Sequence, residues 1–318
     1  CPRRIFALVI GFIGCVTKRS GPDSIMLDVS FKDKILKDPR HYQILTLSTL
    51  LVYGIVASIF EISAVQIVGI FVAALSTQYL GCLMNAVRFE PRSALITALS
   101  LSLLLRADGV APLMMAAAIG VGSKFMLRLY GKHIFNPANI GIVSMLLISQ
   151  TIMPGAAWTT PGQWGTAFWF AALLAGVGLF VTYRAARFDV PLIFLGTFAV
   201  LILARALWLG DPLAIPLLRL QNGALVLFAF FMISDPKTTP DGALARVAFA
   251  GTAALLTYVL SYHFFISDGL FYALAIVCIT RPIFEALDPA PHYRWGDTIK
   301  PIRLPRISSR HTKQIPAE

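Results

Sequence analysis

Side chains that could do chemistry are few in this chain, and they cluster where apolar runs are interrupted. The stretch FMISDPKTTPDGALARVAF, residues 231–249, breaks an apolar run with Asp235, Lys237, two adjacent threonines and two prolines. The stretch FNPAN, residues 135–139, places Asn136 and Asn139 at the start of another apolar run. Carboxylate, amide and ammonium groups in such surroundings could bind an ion or a polar cofactor.

The same residues also have a purely structural interpretation. Asn is a preferred N-cap and Pro a preferred first helical residue, so Asn136 and Pro137 predict a capped helix start. In residues 231–249 the prolines predict the end of one helix, with Asp241 capping or preceding the next. The threonine hydroxyls are expected to satisfy free backbone groups. Both interpretations are compatible at Asn136.

Three further charges fall within or beside apolar runs. Asp268 and Asp108 precede helix starts, where the helix dipole favours a carboxylate, so capping is the preferred interpretation and an ion pathway the alternative. Lys124 falls late in its segment, where a lysine can extend to the membrane interface; the alternative is again an ion pathway. No spacing indicates a metal site, and no catalytic residue is predicted.

Composition places these residues in a membrane protein. The chain has 318 residues, of which 57% are hydrophobic and 14% charged, against about 25% charged in ordinary soluble domains. It has 27 Lys and Arg against 16 Asp and Glu, and the basic residues lie mainly between and beyond the apolar runs. This distribution indicates membrane topology and contact with anionic lipid rather than nucleic acid. The four cysteines are widely spaced, and no disulfide framework or metal cluster is predicted.

Ten apolar segments are long enough to predict an all-α polytopic membrane protein. They are residues 43–60, 64–84, 93–105, 109–127, 137–153, 166–183, 190–207, 219–234, 244–261 and 265–280. With the N-terminus inside, 24 of the 27 Lys and Arg fall in cytoplasmic segments. The positive-inside rule therefore predicts that both termini are cytoplasmic.

This pattern divides the chain into three regions. Residues 1–42 are expected to be a cytoplasmic N-terminal segment, residues 43–280 the transmembrane domain and residues 281–318 a basic cytoplasmic tail. The apolar stretch at 5–16 is short for a span. We interpret it as an interfacial helix or the product of a mis-set translation start, with a signal-peptide core as the alternative.

The transmembrane domain also shows an internal repeat. When Tyr130 is aligned with Tyr262, Asn136 meets Asp268 and Pro137 meets Gly269. The interrupted stretches 104–117 and 233–249 form a second matching pair. Five spans per half is an odd number, so the halves, about 43–153 and 166–280, would be inverted repeats, an architecture that places ligand or ion sites at broken helices near the midplane.

The order of these motifs resembles a known family. SKFMLRLYGKHIFNPANIGIV, a tryptophan-rich outside loop, FMISDPKTTPDG and SDGLFYALAIVCITRPIFEALD are similar to two membrane proteins, NqrB of the sodium-pumping NADH:quinone reductase and RnfD of the Rnf complex. FNPA and SDP are the most specific pieces. The resemblance implies ten spans in two inverted halves, a flavin, and a place in an ion-translocating electron-transfer complex.

One departure from the family concerns the flavin. The family attaches FMN to the threonine of a Ser-Gly-Ala-Thr run in the outside loop, whereas residues 153–170 of this chain read MPGAAWTTPGQWGTAFWF. Thr166 is the nearest candidate, and Thr159 and Thr160 are weaker ones. We therefore expect no covalent FMN, and FMN or riboflavin bound without a covalent link stays open. Asn136, Asn139, Asp235 and Lys237 are the other candidate cofactor contacts.

The resemblance predicts a non-autonomous subunit of an ion-translocating oxidoreductase in the bacterial inner membrane. Its partners would be other membrane or redox subunits, and the ion Na⁺ or H⁺. Two alternatives stay open. The inverted-repeat architecture also suits a small-solute or ion channel or carrier, and the chain could be an accessory membrane protein without its own redox centre.

Overall fold

The computed structural model describes residues 38–57, 61–129, 131–160 and 168–293, the side chains of residues 168–170 excepted. Within these ranges the chain is mainly helical. The helices are α1 Pro39–Val56, α2 Ala64–Met84, α3 Pro91–Leu104, α4 Ala111–Met126, α5 Pro137–Thr151, α6 Phe168–Arg184, α7 Asp189–Leu209, α8 Ala214–Leu220, α9 Gly223–Leu227, the π-helix Phe228–Met232, α10 Ala243–Tyr262 and α11 Gly269–Leu287. The strands are β1 Leu105–Ala107, β2 Arg128–Leu129, β3 Lys132–His133 and β4 Ala157–Thr159.

Helix starts follow from local sequence. Asp38 caps α1, and Pro39 occupies its first turn. Ser63 and Gln66 form a reciprocal capping box at α2. Asn136 caps α5 by accepting from the backbone N–H groups of residues 138 and 139, as the sequence predicts. Each cap satisfies N–H groups that the first helical turn leaves free.

The helix lengths are those of a multi-pass membrane protein. Among the described residues, α2, α7, α10 and α11 are long and apolar enough to cross a bilayer. The α8 and α9–π segments together would make a fifth span, bent by 46°. α3, α4 and the part of α6 from residue 171 are apolar but shorter.

Each of the ten predicted segments coincides with helix, although several boundaries differ. The first begins at Pro39 rather than residue 43, because the Asp38 cap and Pro39 start the helix earlier. The eighth is not one continuous helix, because the chain breaks at residues 221–222 and Asn222 caps a new start. The last continues to Leu287 rather than ending at 280, because the charges in its final turns lie against protein.

Neighbouring helices pack closely, and the segments that connect them lie at two opposite ends of the molecule. α4 packs on α5, α10 on α11, and α7 on α10. Gly120 of α4 and Gly141 of α5 have no room for a Cβ against the facing backbone carbonyls, so these helices approach nearly as closely as backbones allow. We call one end, formed by residues 127–129, 131–136, 185–188, 233–242 and 288–293, the basic end. The opposite end is formed by residues 105–110, 152–160, 210–213 and 263–268.

A short antiparallel pairing organises each end. β2 and β3 form a hairpin at the basic end, with Arg128 opposite His133. β1 and β4 pair at the opposite end and join the α3–α4 connection to the segment after α5. Gln66 of α2 also donates to the carbonyl of Ala107 there, at 3.1 Å. These pairings satisfy backbone groups that the helix breaks release.

Candidate functional site

A cavity of about 340 Å³ opens at the basic end, between the two halves of the chain. It is lined by α1 to α4, the β2–β3 hairpin, the start of α5, the end of α6, the π-helix and the loop that follows it. Its volume is within the range of small-molecule sites, about 300–1,000 Å³. We call it the basic-end cavity.

The FNPA motif, residues 135–138, and the SDP motif, residues 234–236, meet in this cavity. Asn136 Nδ2 lies 3.4 Å from Asp235 Oδ2 and donates to the carbonyl of Met232 at 3.3 Å. His133 Nε2 lies 3.5 Å from the same Asp235 oxygen. Burial by itself raises the pKa of Asp235, but the His133 ring and the Lys237 backbone N–H stabilise the carboxylate, and its pKa lies below the ordinary value. Asp235 is therefore an anion at neutral pH.

The rest of residues 231–249 forms a tight turn. The hydroxyls of Thr238 and Thr239 both donate to the carbonyl of Asp235, at 3.2 and 3.1 Å, which confirms that they satisfy free backbone groups. Lys237 lines the cavity, and its ammonium donates to the carbonyl of Tyr293 at 3.3 Å. The turn thus connects the cavity to the segment after α11.

Asp241 does not cap α10, contrary to one interpretation of the sequence. The N-cap is Gly242 without a side-chain bond, and Asp288 instead accepts from the N–H groups of Leu244 and Ala245 at 2.9 and 3.1 Å. Asp241 is the centre of a buried ionic group, because three basic side chains surround it. It lies 2.7 Å from Lys132, 3.2 Å from Arg187 and 3.0 Å from His292.

Arg281 holds two connections together at the basic end, the β2–β3 hairpin and the Asp235 turn. Its side chain is fully buried and donates to the carbonyls of His133 at 3.1 Å, Lys237 at 3.0 Å and Leu129 at 3.4 Å. One guanidinium therefore holds both strands of the hairpin and the Asp235 turn against α11, because its rigid fork presents several donors at once.

A second cavity, of about 790 Å³, lies at the opposite end, and we call it the opposite-end cavity. Thr159, Thr160 and Asp268 line it together with the residues around Asn222. Asp268 occupies the N-cap position of α11 but makes no side-chain cap bond. Its carboxylate accepts instead from the hydroxyl of Thr159, so the predicted position at the helix start is confirmed, but the side chain does not hydrogen-bond the first turn.

A packed layer separates the two cavities. Along the broken eighth segment, residues 224 and 225 line the opposite-end cavity and residues 230 and 231 the basic-end cavity. Phe228, between them, is fully buried and packs on Phe194 and Phe271, with ring centroids 5.2 and 5.9 Å apart. Asn139 is also fully buried here and donates to the carbonyl of Phe271 at 3.1 Å.

The structure thus sorts the predicted site residues into groups. Asn136, Asp235, Lys237 and Lys124 line the basic-end cavity. Lys124 does not extend to the surface: its side chain is buried and donates to Ser93 Oγ at 3.1 Å. Asp108 is exposed at the opposite end, away from both cavities, and Thr166 lies outside the described residues. The described residues contain no group of three or more His, Cys, Asp or Glu that could hold a metal.

Comparison with known proteins gives a family match for the second part of the chain. Residues 150–292, from the end of α5 to five residues beyond α11, match the sequence model of the NQR2, RnfD, RnfE family. The matched region contains Asp235 and Asp268, and Asn136 precedes it.

Individual proteins also match part of this chain. The chain is 34% identical over 138 residues to the D subunit of the ion-translocating oxidoreductase complex of Citrobacter koseri, which is 43% of this chain and 37% of that protein. The corresponding protein of Escherichia coli O1:K1 gives the same identity and coverage, and that of Escherichia coli O81 is 33% identical. The match thus spans well under half of these relatives' length.

Some residues of the site carry little or no signal in the sequence. Gln78 and Ser93 line the basic-end cavity, and Lys132 and Glu285 belong to the ionic group around Asp241. None of these four is predicted as a site residue. Gln78 and Glu285 carry a weak signal, since each is a polar residue inside an otherwise apolar helix, which often marks an inward-facing position.

Proposed function

We propose that this chain is the membrane-embedded subunit of a flavin-linked electron-transport complex that moves Na⁺ or H⁺. Its relatives are named as subunits of an ion-translocating oxidoreductase complex, and membrane-embedded partner subunits are proposed on that ground. In this role the chain is not an autonomous enzyme.

One observation carries the proposal. The two motifs that resemble the family most, FNPA and SDP, contribute Asn136 and Asp235, which are 99 residues apart in sequence yet lie 3.4 Å apart in the basic-end cavity. If residues 231–249 served only as a turn, neither the contact between Asn136 and Asp235 nor the cavity around it would be required. Their meeting in a buried polar cavity between the halves supports a shared ligand site.

We propose that the flavin, FMN or riboflavin, binds there without a covalent link. Amide, carboxylate and imidazole groups around the cavity offer both donors and acceptors, which the polar edge of a flavin ring requires. Thr159 and Thr160 line the opposite-end cavity instead, and neither follows a Ser-Gly-Ala run.

The flavin prediction has a matched pair of variants. Asn136 and Asn222 are both N-caps that accept from two backbone N–H groups, one at each end of the molecule. Replacing either by Ala removes a cap worth about 1 kcal/mol. We expect Asn136→Ala to lower flavin retention about tenfold, because a hydrogen-bonding group of the site is lost, and Asn222→Ala to leave it unchanged.

Absorbance and fluorescence of flavin in the purified protein provide the measurement, with a denaturing gel viewed under ultraviolet light. Fluorescence that survives denaturation would show covalent attachment and contradict the non-covalent proposal. Equal loss in both variants would place the flavin elsewhere. Absence of flavin in either form would reject the redox function.

The topology is proposed together with the function. We propose ten spans in two inverted halves, about 43–153 and 166–280, in the bacterial inner membrane, with residues 1–42 and the tail from 281 in the cytoplasm. The aligned positions Pro137 and Gly269 support this, since they begin α5 at the basic end and α11 at the opposite end. A reporter fused after Glu318 should be active only in its cytoplasmic form.

A channel or carrier is the second candidate, and one observation favours it. Two cavities approach each other from opposite ends, separated by the layer of Phe228, Phe271 and Asn139. Such a layer could act as a gate for a small solute. Finding solute flux in proteoliposomes made from flavin-free protein would favour this function over electron transport.

A further inference from the structure

Lys124 is a buried cation without a buried counter-ion. Its side chain is 9% exposed, and its ammonium contacts the hydroxyl of Ser93 at 3.1 Å and faces the Phe125 ring at 5.6 Å. Among the described residues no carboxylate oxygen lies within 4.0 Å of it. Burying an unpaired charge costs several kcal/mol, so an anion in the adjoining cavity would stabilise it.

The other charges of the basic-end cavity leave an excess of cations. Besides Lys124, its lining includes Arg88, Arg128 and Lys237, against Glu90 and Asp235. Arg40 also lines it, but its guanidinium is paired with Asp38 at 2.6 Å. Both carboxylates have closer partners, since Glu90 lies 2.5 Å from Arg92 and Asp235 contacts His133 and Asn136. Within the described part of the chain, Arg88 and Arg128 make no ion pair with a carboxylate.

Gln78 adds a neutral polar group to this surface. Its side chain is 4% exposed and lines the cavity. Nε2 donates to the Cys82 sulfur at 3.3 Å, whereas Oε1 is buried and has no hydrogen-bond partner. A buried acceptor left unpaired costs free energy, so the cavity favours a ligand that brings a donor as well as negative charge.

We propose that the basic-end cavity binds a phosphate group, with Lys124 as its central contact and Arg88 and Arg128 at its mouth. A dianionic phosphate matches the double charge that a cluster of unpaired cations attracts. As HPO₄²⁻ it also carries a hydroxyl that can donate to Gln78 Oε1, and a monoester carries one in its monoanionic form. The flavin is proposed for the same cavity, so the phosphate site is that of the flavin-free protein.

Equilibrium dialysis of the purified, flavin-free full chain with radiolabelled inorganic phosphate tests the site. We expect one saturable site with a Kd below about 1 mM. Lys124→Met should weaken binding about tenfold or more, because the buried charge partner is lost. Arg128→Gln, at an exposed mouth position, should weaken it about threefold. Arg205→Gln removes a cation at the opposite end and should leave binding unchanged.

Absence of saturable binding in the wild type, or wild-type binding by both Lys124→Met and Arg128→Gln, would overturn the proposal. Thermal unfolding shows whether Lys124→Met folds. If it does not, the comparison of phosphate binding by Arg128→Gln and by Arg205→Gln tests the proposal. The phosphate group could belong to a lipid or to a soluble molecule, and the same measurement in nanodiscs of phosphatidylglycerol and of phosphatidylcholine distinguishes the two. Loss of phosphate binding only in phosphatidylglycerol would identify a lipid phosphate as the occupant. Binding in both lipids would identify a soluble phosphate.

Discussion

Arg281→Met is expected to be the most destabilising single substitution at the basic end. It would leave three buried carbonyls without their donor and the nearby Glu285 without one of its cations. Removing one partner from a buried charged group costs about 3–5 kcal/mol. For a chain of this size we expect Tm to fall by about 10 °C, measured by thermal unfolding in detergent micelles, with size-exclusion chromatography to detect aggregated protein.

Two further variants separate the role of the guanidinium from that of its charge. Arg281→Lys keeps the charge but cannot reach three carbonyls at once, so its loss of stability should be intermediate. Arg205→Met removes a partly exposed arginine whose pair with Asp211 spans 3.5 Å, and should cost less than about 1 kcal/mol. If Arg281→Met unfolds at the wild-type temperature, the hydrogen bonds from Arg281 to the three carbonyls do not stabilise the fold.

Asp241→Asn is expected to have the second largest effect on stability. The carboxylate is buried against Lys132 and Arg187, and its loss leaves two buried cations with less counter-charge. We expect destabilisation of about 3 kcal/mol or more at neutral pH. Asp211→Asn is the matched control, because it removes a carboxylate from an exposed ion pair and should change the free energy of unfolding by less than about 1 kcal/mol.

The pH dependence of stability gives an independent measurement of the same group. Burial by itself raises the pKa of Asp241, but the hydrogen bond and charge of Lys132, with His292 and Arg187, outweigh it and lower the pKa below its ordinary value of 3.8. A carboxyl whose pKa is lower in the folded state stabilises the fold above the unfolded-state pKa, and this contribution is lost as pH falls through the folded-state pKa. Wild-type Tm should therefore fall steeply below about pH 4.

Asp241→Asn should lose part of this acid dependence, because its amide does not titrate. Thermal unfolding of both proteins across acidic and neutral buffers makes the comparison. Parallel curves for variant and wild type would show that Asp241 does not contribute to acid unfolding.

The sequence by itself determined the class of protein and the positions of its helices. Apolar segments of membrane-spanning length and local caps such as Asn136 depend on residues close together in the chain, so the pattern predicts them directly. It also singled out Asn136 and Asp235, through their resemblance to a family whose sequence model matches residues 150–292.

Only the tertiary structure decided which of those residues share a site. Contacts such as Asn136 with Asp235, or Asp241 with Lys132, join residues about a hundred positions apart, and no local pattern encodes such a distance. Local rules were incomplete at Asp241, which precedes a helix, and at Asp268, which occupies an N-cap position, because neither side chain makes a cap bond. There a distant lysine, arginine or threonine offered the carboxylate a partner, and in a buried environment a charged or hydrogen-bonded partner outweighs a cap.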